Sequence, residues 1–209
     1  MSLIVLGAGG HAGVLIDALQ ASGKKIIGIT DPNPETHGKV FFGLPVLGTD
    51  DEVLKYKTNE VVLVNGVGSI QTDFRRKEIF ERFAESGYAF DSVVHPSSVI
   101  GAGVKIFDGA QIMAGTILQT ACSIGKNTII NTRAAVDHNC VIGSHVHIAP
   151  GAILGGAVFV GDSAHIGTGA VVLQNIQVGD GALIAAGATV ISDVDPGGRV
   201  AGIPAKYMR

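Results

Sequence analysis

Four histidines fall close together in the second half of the chain: His138 within Asp137-His138-Asn139, then His145, His147 and His165, the last of them 18 residues beyond His147. Imidazole, with an ordinary pKa of about 6.5, is the side chain that takes or gives a proton near neutrality. One surface histidine is usually structural, but a cluster in a stretch with few other titratable groups raises the case for chemistry. No Ser or Cys is flanked as an activated nucleophile, so the simplest proposal is direct transfer with His138 as general base. A second chemistry-bearing segment lies near the start, Gly7-Ala8-Gly9-Gly10-His11-Ala12-Gly13, with Asp31 24 residues past Gly7. This spacing approximates a dinucleotide fingerprint, in which glycines admit a phosphate to the backbone and a carboxylate holds a ribose.

The histidines sit inside a repeat. From Ile100 to Val190 an Ile, Leu or Val stands at every sixth residue, sixteen times without a slip. A period of six fits neither a helix nor a simple strand alternation, and it predicts a parallel β-helix whose straight sides recur every six residues. Four residues after each aliphatic the chain is usually small or β-branched (Ala110, Thr116, Cys122, Thr128, Ala134, Cys140), and both sets are expected to point into a narrow core. Gly follows the aliphatic at Gly101, Gly125, Gly143, Gly155, Gly161, Gly167 and Gly179, which reads as corners needing unusual backbone angles. Asp108, Asp162 and Asp180 are expected at wet corners. Cys122 and Cys140, 18 residues apart, are expected to stack on adjacent coils as buried thiols.

Before residue 95 the sixfold pattern is absent. Ser2 to Leu6 reads as a strand and the glycine loop leads into a helical pattern through Leu15, Ile16 and Leu19. Lys25 to Thr30 reads as a strand ending at Asp31-Pro32, Glu60 to Val64 as a strand ending at Asn65-Gly66-Val67-Gly68, and Asp73 to Gly87 as a charged amphipathic helix. Alternating strands and helices predict a small parallel α/β sheet, with ligands at the carboxyl ends of its strands. Gly9, Gly10, His11, Asp31, Pro32, Gly66 and Gly68 would gather on that edge. So short a unit lacks room for both halves of a dinucleotide fold, so one nucleotide, or a nucleotide sugar, is the expected occupant.

Composition narrows the classes. At 46% hydrophobic, 5% aromatic and no Trp, the chain suits a slender coil stack better than a broad core, and a net charge of −3 without a basic cluster argues against nucleic acid. No run of about eighteen apolar residues exists, because Gly, Asp, Asn or His interrupts every coil. With no basic segment leading into an apolar stretch, a cytoplasmic protein is expected.

The hexapeptides resemble those of the hexapeptide-repeat acyltransferases, in which three repeats make one triangular, left-handed coil; sixteen would make about five coils. The glycine loop with His11, His95-Pro96-Ser97, the Asn131-Thr132 to His138 segment and Gly202-Ile203-Pro204-Ala205-Lys206 are together similar to the bacterial sugar-nucleotide N-acetyltransferases of bacillosamine and perosamine biosynthesis, with the related sialic acid O-acetyltransferases. The resemblance implies a Rossmann-like α/β domain over 1–95 that holds a nucleotide-linked amino sugar. It also implies an all-β left-handed β-helix over 96–209 that trimerises, with acetyl-CoA as co-substrate in the groove between subunits and no metal. It places the general base at His138, the sugar-nucleotide loop at Gly9, Gly10 and His11, a nucleotide contact at Asp31, and the acetyl-CoA groove at His147, Gly156, Thr168 and Ala186. One departure stands out: a Glu follows the base in the bacillosamine enzyme, whereas Asn139 follows here, leaving Asp137 as a candidate to orient the ring. O-acetylation of a sugar hydroxyl, a zinc site between subunits and a non-catalytic nucleotide-sugar sensor remain as alternatives.

Overall fold

The computed structural model describes residues 1–69 and 74–208 and divides into two compact units, Met1–Pro96 and Ser97–Arg209. In the first, β1 (Ser2–Leu6), α1 (Gly10–Ala21), β2 (Ile26–Thr30), β3 (Val40–Phe41), β4 (Leu44–Gly48), β5 (Val61–Asn65) and α2 (Arg75–Glu85) follow one another. The sheet order is β3-β4-β2-β1-β5, parallel except for the β3–β4 hairpin. β1 lies between β2 and β5, and its residues Leu3 to Leu6 are all buried, as a continuous apolar run in a covered parallel sheet requires. Leu15, Ile16 and Leu19 of α1 are buried as their helical spacing predicts. The hairpin escaped the sequence reading. Its turn, Phe42-Gly43, has both residues left-handed, φ 48° and 78°, the two-residue form that matches strand twist without needing the usual Asn-Gly. The charged helix spans Arg75–Glu85; Asp73, where the sequence pattern starts it, lies outside the described residues.

The second unit is a left-handed parallel β-helix. Each hexapeptide contributes a two-residue strand, and strands pair in parallel with those 18 residues on: Ile124 faces Ile142, Ile142 faces Val160, and Val160 faces Val178. Three faces result. The first stacks Leu118, Val136, Leu154 and Val172, the second Ile124, Ile142, Val160 and Val178, the third Ile130, Ile148, Ile166 and Ile184. These side chains form one continuous core with the small residues between them. Each buried aliphatic contributes roughly 1.5–3 kcal/mol. Ile100, at the open end, remains 38% exposed.

The corner glycines serve a different purpose from the one expected. Left-handed backbone falls three residues after every ladder aliphatic from Ile100 to Ile184, for instance at Gly115, Asn139 (φ 59°) and His145 (φ 60°). The glycines directly after the aliphatic are where successive coils touch: a Cβ on Gly101 would lie 2.7 Å from Thr120 N, and one on Gly155 would lie 2.8 Å from Gln174 N. At these glycines the next coil comes too close for a side chain, whereas the same position elsewhere carries one, as at Asp137. Asp162 and Asp180 are exposed as expected, and each also accepts an N–H from the preceding coil, from Ser144 at 2.7 Å and Asp162 at 2.9 Å. Cys122 and Cys140 are buried free thiols. Among the described residues no helix is long and apolar enough to cross a membrane.

Candidate functional site

Chemistry-bearing residues gather in each unit separately. In the α/β unit, β1, β2 and β5 end beside one another, and the loops that follow them enclose a cleft of about 320 Å³ lined by Gly9, Gly10, His11, Asp31, Pro32, Gly66 and Gly68. Parallel strands deliver all their carboxyl ends to one edge, so residues distant in sequence meet there. Gly66 is required: a Cβ would lie 2.7 Å from Leu6 O and 2.9 Å from the Ala12 Cβ. Gly9 and Gly10 have open space around them instead. Gly9 caps α1 with no side-chain hydrogen bond, and the first turn carries no acid, so the first N–H groups of the helix suit an anion such as a phosphate.

Asp31 is not a free carboxylate waiting for a ribose. Its Oδ2 accepts the Ala8 N–H at 3.1 Å, its Oδ1 accepts the Asn33 N–H at 2.9 Å, and its carbonyl lies 2.8 Å from His37 Nε2. It therefore ties the glycine loop to the end of β2, while each oxygen keeps a further lone pair for a ligand.

Two arginines escaped the sequence reading. Arg75 lines the cleft. Arg76 is buried and donates through Nη1 to Asn65 O at 2.9 Å and Val67 O at 2.7 Å, while Asn65 Nδ2 donates to Arg76 O at 2.8 Å. Burial pushes its guanidinium down to about 9, still charged at neutral pH. The Arg75-Arg76 doublet looks like an ordinary charged helix surface, and nothing in its spacing says which member turns inward.

In the coil unit, Asp137, His138 and Asn139 form the exposed corner between the first and second faces. The His138 imidazole rests on Gly156 of the next coil, where a Cβ would lie 2.7 Å from both Cε1 and Nε2. Asn139 Nδ2 lies 3.0 Å from Nδ1. In this orientation the amide donates to Nδ1 and the neutral ring carries its proton on Nε2; rotating the amide by half a turn brings its oxygen to the ring, where it accepts the Nδ1–H and leaves the Nε2 lone pair free, the form a base needs. Asp137 does not reach the ring: its Oδ1 accepts the His138 backbone N–H at 2.7 Å, orienting the peptide. Apolar residues flank this corner on both sides, Ile117 (39% exposed) and Ile153 (51%) on the first face, Val141 (45%) and Phe159 (44%) on the second. The outward residues of the third face are covered, Ile129 to 1% and Leu183 to 8%.

The residues expected at the acetyl-CoA groove do not share one site within a single chain. Gly156 lies under His138. His147, 9% exposed, lies on the third face with its ring centroid 4.9 Å from that of His165 and its Nε2 3.2 Å from Asn131 Nδ2. Thr168 and Ala186 stand, exposed, on adjacent coils of the corner between the third and first faces. Burial pushes the His165 imidazole down from its ordinary value. His145 occupies a left-handed corner position with Nδ1 3.0 Å from Asn127 Nδ2. Among the described residues no group of three or more His, Cys, Asp or Glu can hold a metal ion.

Residues 2–83 match the PglD N-terminal domain, and residues 121–156 and 157–192 match the bacterial transferase hexapeptide of six repeats. The acetyltransferase domain of PglB from Neisseria gonorrhoeae is 33% identical, with 99% of each chain covered and a TM-score of 0.89. The chain belongs to the bacterial sugar N-acetyltransferases of the hexapeptide-repeat family. PerB from Caulobacter crescentus, solved with CoA and GDP-perosamine, is 30% identical over 100% of this chain and 98% of the other, with a TM-score of 0.91. WeeI from Acinetobacter baumannii is 27% identical over the full length of both, with a TM-score of 0.88. The likeness of this acetyltransferase to the PglB domain, PerB and WeeI runs through both of its units.

Proposed function

We propose that this acetyltransferase moves the acetyl group of acetyl-CoA to the amino group of a nucleotide-linked amino sugar, with His138 as general base. The observation that carries the reading is the full-length likeness to PerB, an enzyme solved with CoA and GDP-perosamine, in a chain that sets an exposed imidazole on a glycine floor. The nucleotide sugar occupies the cleft at the strand ends, its diphosphate at the N-terminus of α1, with His11 and Asp31 beside it. The sugar amine attacks the thioester carbonyl as His138 Nε2 takes its proton. The tetrahedral intermediate expels the CoA thiolate, which receives that proton from the imidazolium. Asn139, being neutral, gives the ring direction and adds little basicity, unlike a carboxylate in that place.

The working form is a homotrimer. The apolar residues flanking the His138 corner, Ile117, Ile153, Val141 and Phe159, are the surface that neighbouring subunits would cover. Pairing of subunits there would also bring His147, Gly156, Thr168 and Ala186, dispersed within one chain, toward a shared acetyl-CoA groove. Light scattering should give about three times the 21.4 kDa of one chain. A panel of UDP- and GDP-linked amino-deoxysugars, assayed with acetyl-CoA by released thiol, tests the reaction. Turnover of an amino sugar supports it, and acetylation of hydroxyl-only sugars alone would overturn it.

A further inference from the structure

The inward column behind the corner that carries His138 reads, coil by coil, Val104, Cys122, Cys140, Val158 and Ile176. Branched aliphatics fill it everywhere except at two adjacent coils. Cys140 lies on the coil that carries His138 and Cys122 on the coil before it, while the coil of Gly156 carries Val158. The Cys122 thiol donates to Asp137 O at 3.0 Å, the carbonyl of the very peptide whose N–H belongs to His138. The Cys140 thiol donates to Gly155 O at 3.2 Å, the carbonyl of the peptide that leads into Gly156, on which the imidazole lies. Other inward donors make the same bond in other columns, Thr116 to Asn131 O at 3.2 Å and Thr128 to Gly143 O at 2.7 Å. A polar hydrogen at this inward position thus reaches the corner carbonyl of the next coil.

We propose that Cys122 and Cys140 are positioning residues for His138, their thiols anchoring from inside the coil both the backbone that carries the imidazole and the backbone on which it rests. The 137–138 peptide is then held at both ends, its carbonyl by Cys122 from within and its N–H by the Asp137 carboxylate from outside. Burial keeps both thiols in the protonated, donating form, raising Cys122 above its ordinary value and Cys140 to about 12. A thiol is a weak donor. Its use here is geometric: backbone bonds already hold the Asp137 N–H, the His138 carbonyl and the Asn139 N–H to neighbouring coils, the thiol adds a hold on the Asp137 carbonyl from inside, and small misplacements of a base are costly in rate. The inference rests on the reading of His138 as the base.

Replacing either Cys by Val separates anchoring from packing, since Val fills the same column at 104 and 158, while Ser restores a donor. For Cys122→Val and Cys140→Val the expected result is a fall in kcat of about tenfold, with the KM of both substrates within twofold and the melting temperature nearly kept. Cys122→Ser and Cys140→Ser should recover most of the rate. If the Val chains melt early, Cys122→Ala and Cys140→Ala take their place. The His138 ring signals in NMR spectra of the unliganded protein, assigned with His138→Ala, should shift in the Val variants and return in the Ser variants. Unchanged ring signals and kcat in the Val variants, or Ser variants as impaired as Val, would overturn the anchoring role. His138→Ala with near-normal kcat would instead overturn the base reading, and the ring signals would still decide whether the thiols hold the corner.

Discussion

The cleft of the α/β unit draws on the 7–11 loop, the end of β2, the loop after β5 and the start of α2, which meet because parallel strands end on one edge. The corner of the coil unit draws on residues at fixed register, and His138 meets Gly156 because one coil is 18 residues. In the first unit position is a consequence of closing the chain in three dimensions; in the second it is arithmetic along the sequence. The comparison teaches where substitutions are local and where they propagate. At the His138 corner the Asp137 carboxylate braces only the adjacent peptide, whereas Asp31 braces both the glycine loop and the end of β2.

The sharpest way to break the contrast is to charge the ladder itself. Ile142→Asp would bury an unpaired carboxylate between Ile124 and Val160 and should cost about 4 kcal/mol or more, seen as loss of soluble protein or an early denaturant midpoint. The same change at Ile100, already 38% exposed, should cost far less. Equal losses at both positions would mean that the ladder is not what holds the coils together.

Next in size is His138→Ala. The ring is exposed, so stability should hardly change, while kcat falls by roughly 10²–10⁴ and the KM of both substrates stays near normal. The acid limb of the rate should follow one ionisation and survive Asp137→Asn, because Asp137 binds the peptide and not the ring. A lost acid limb in Asp137→Asn would reverse that assignment.

Glycines sharpen the comparison further. Gly156→Ala places a methyl 2.7 Å from His138 Nε2, so the ring must move and kcat should drop by about tenfold to a hundredfold. At Gly9→Ala the space is open, and the effect should be confined to the KM for the nucleotide sugar. Asp31→Ala removes the acceptor of the Ala8 and Asn33 N–H groups, so the same KM should rise about tenfold while that for acetyl-CoA holds. A rise in the acetyl-CoA KM instead would move the acetyl-CoA site into the cleft.

The smallest effect concerns His165. Its folded value is depressed by burial, so the unfolded chain binds the proton first and stability falls as pH drops below the ordinary imidazole value of about 6.5. His165→Leu, matching Leu183 in the same outward column, should narrow the gap between melting temperatures at pH 7.5 and pH 5.5. An unchanged gap would place the acid sensitivity elsewhere.

Much of this was legible beforehand. The sixfold ladder, the stacked thiols and the meeting of Gly9, Gly10, His11, Asp31, Pro32, Gly66 and Gly68 all follow from spacing, because a coil of fixed length and a parallel sheet each have one edge where given residues must fall. The β3–β4 hairpin was not legible, since its turn residues Phe42-Gly43 lack the usual signature. Nor was the inward turn of Arg76, which depends on carbonyls at the end of β5.

The sequence by itself determined the coil, its period and which residues face inward, because a two-residue strand repeated every six residues has one way to bury its aliphatics. It also determined that His138 stands at a corner. Tertiary structure decided what each polar group does there: that the corner glycines answer to coil contact and not to backbone angle, that Asp137 holds a peptide, and that Asp31 braces the loop it was expected only to accompany. Those outcomes depend on how closely Thr120 and Gln174 approach the glycines, on the adjacent His138 N–H and on the Ala8 N–H 23 residues from Asp31, and register along the chain does not choose between the lone pairs of a carboxylate.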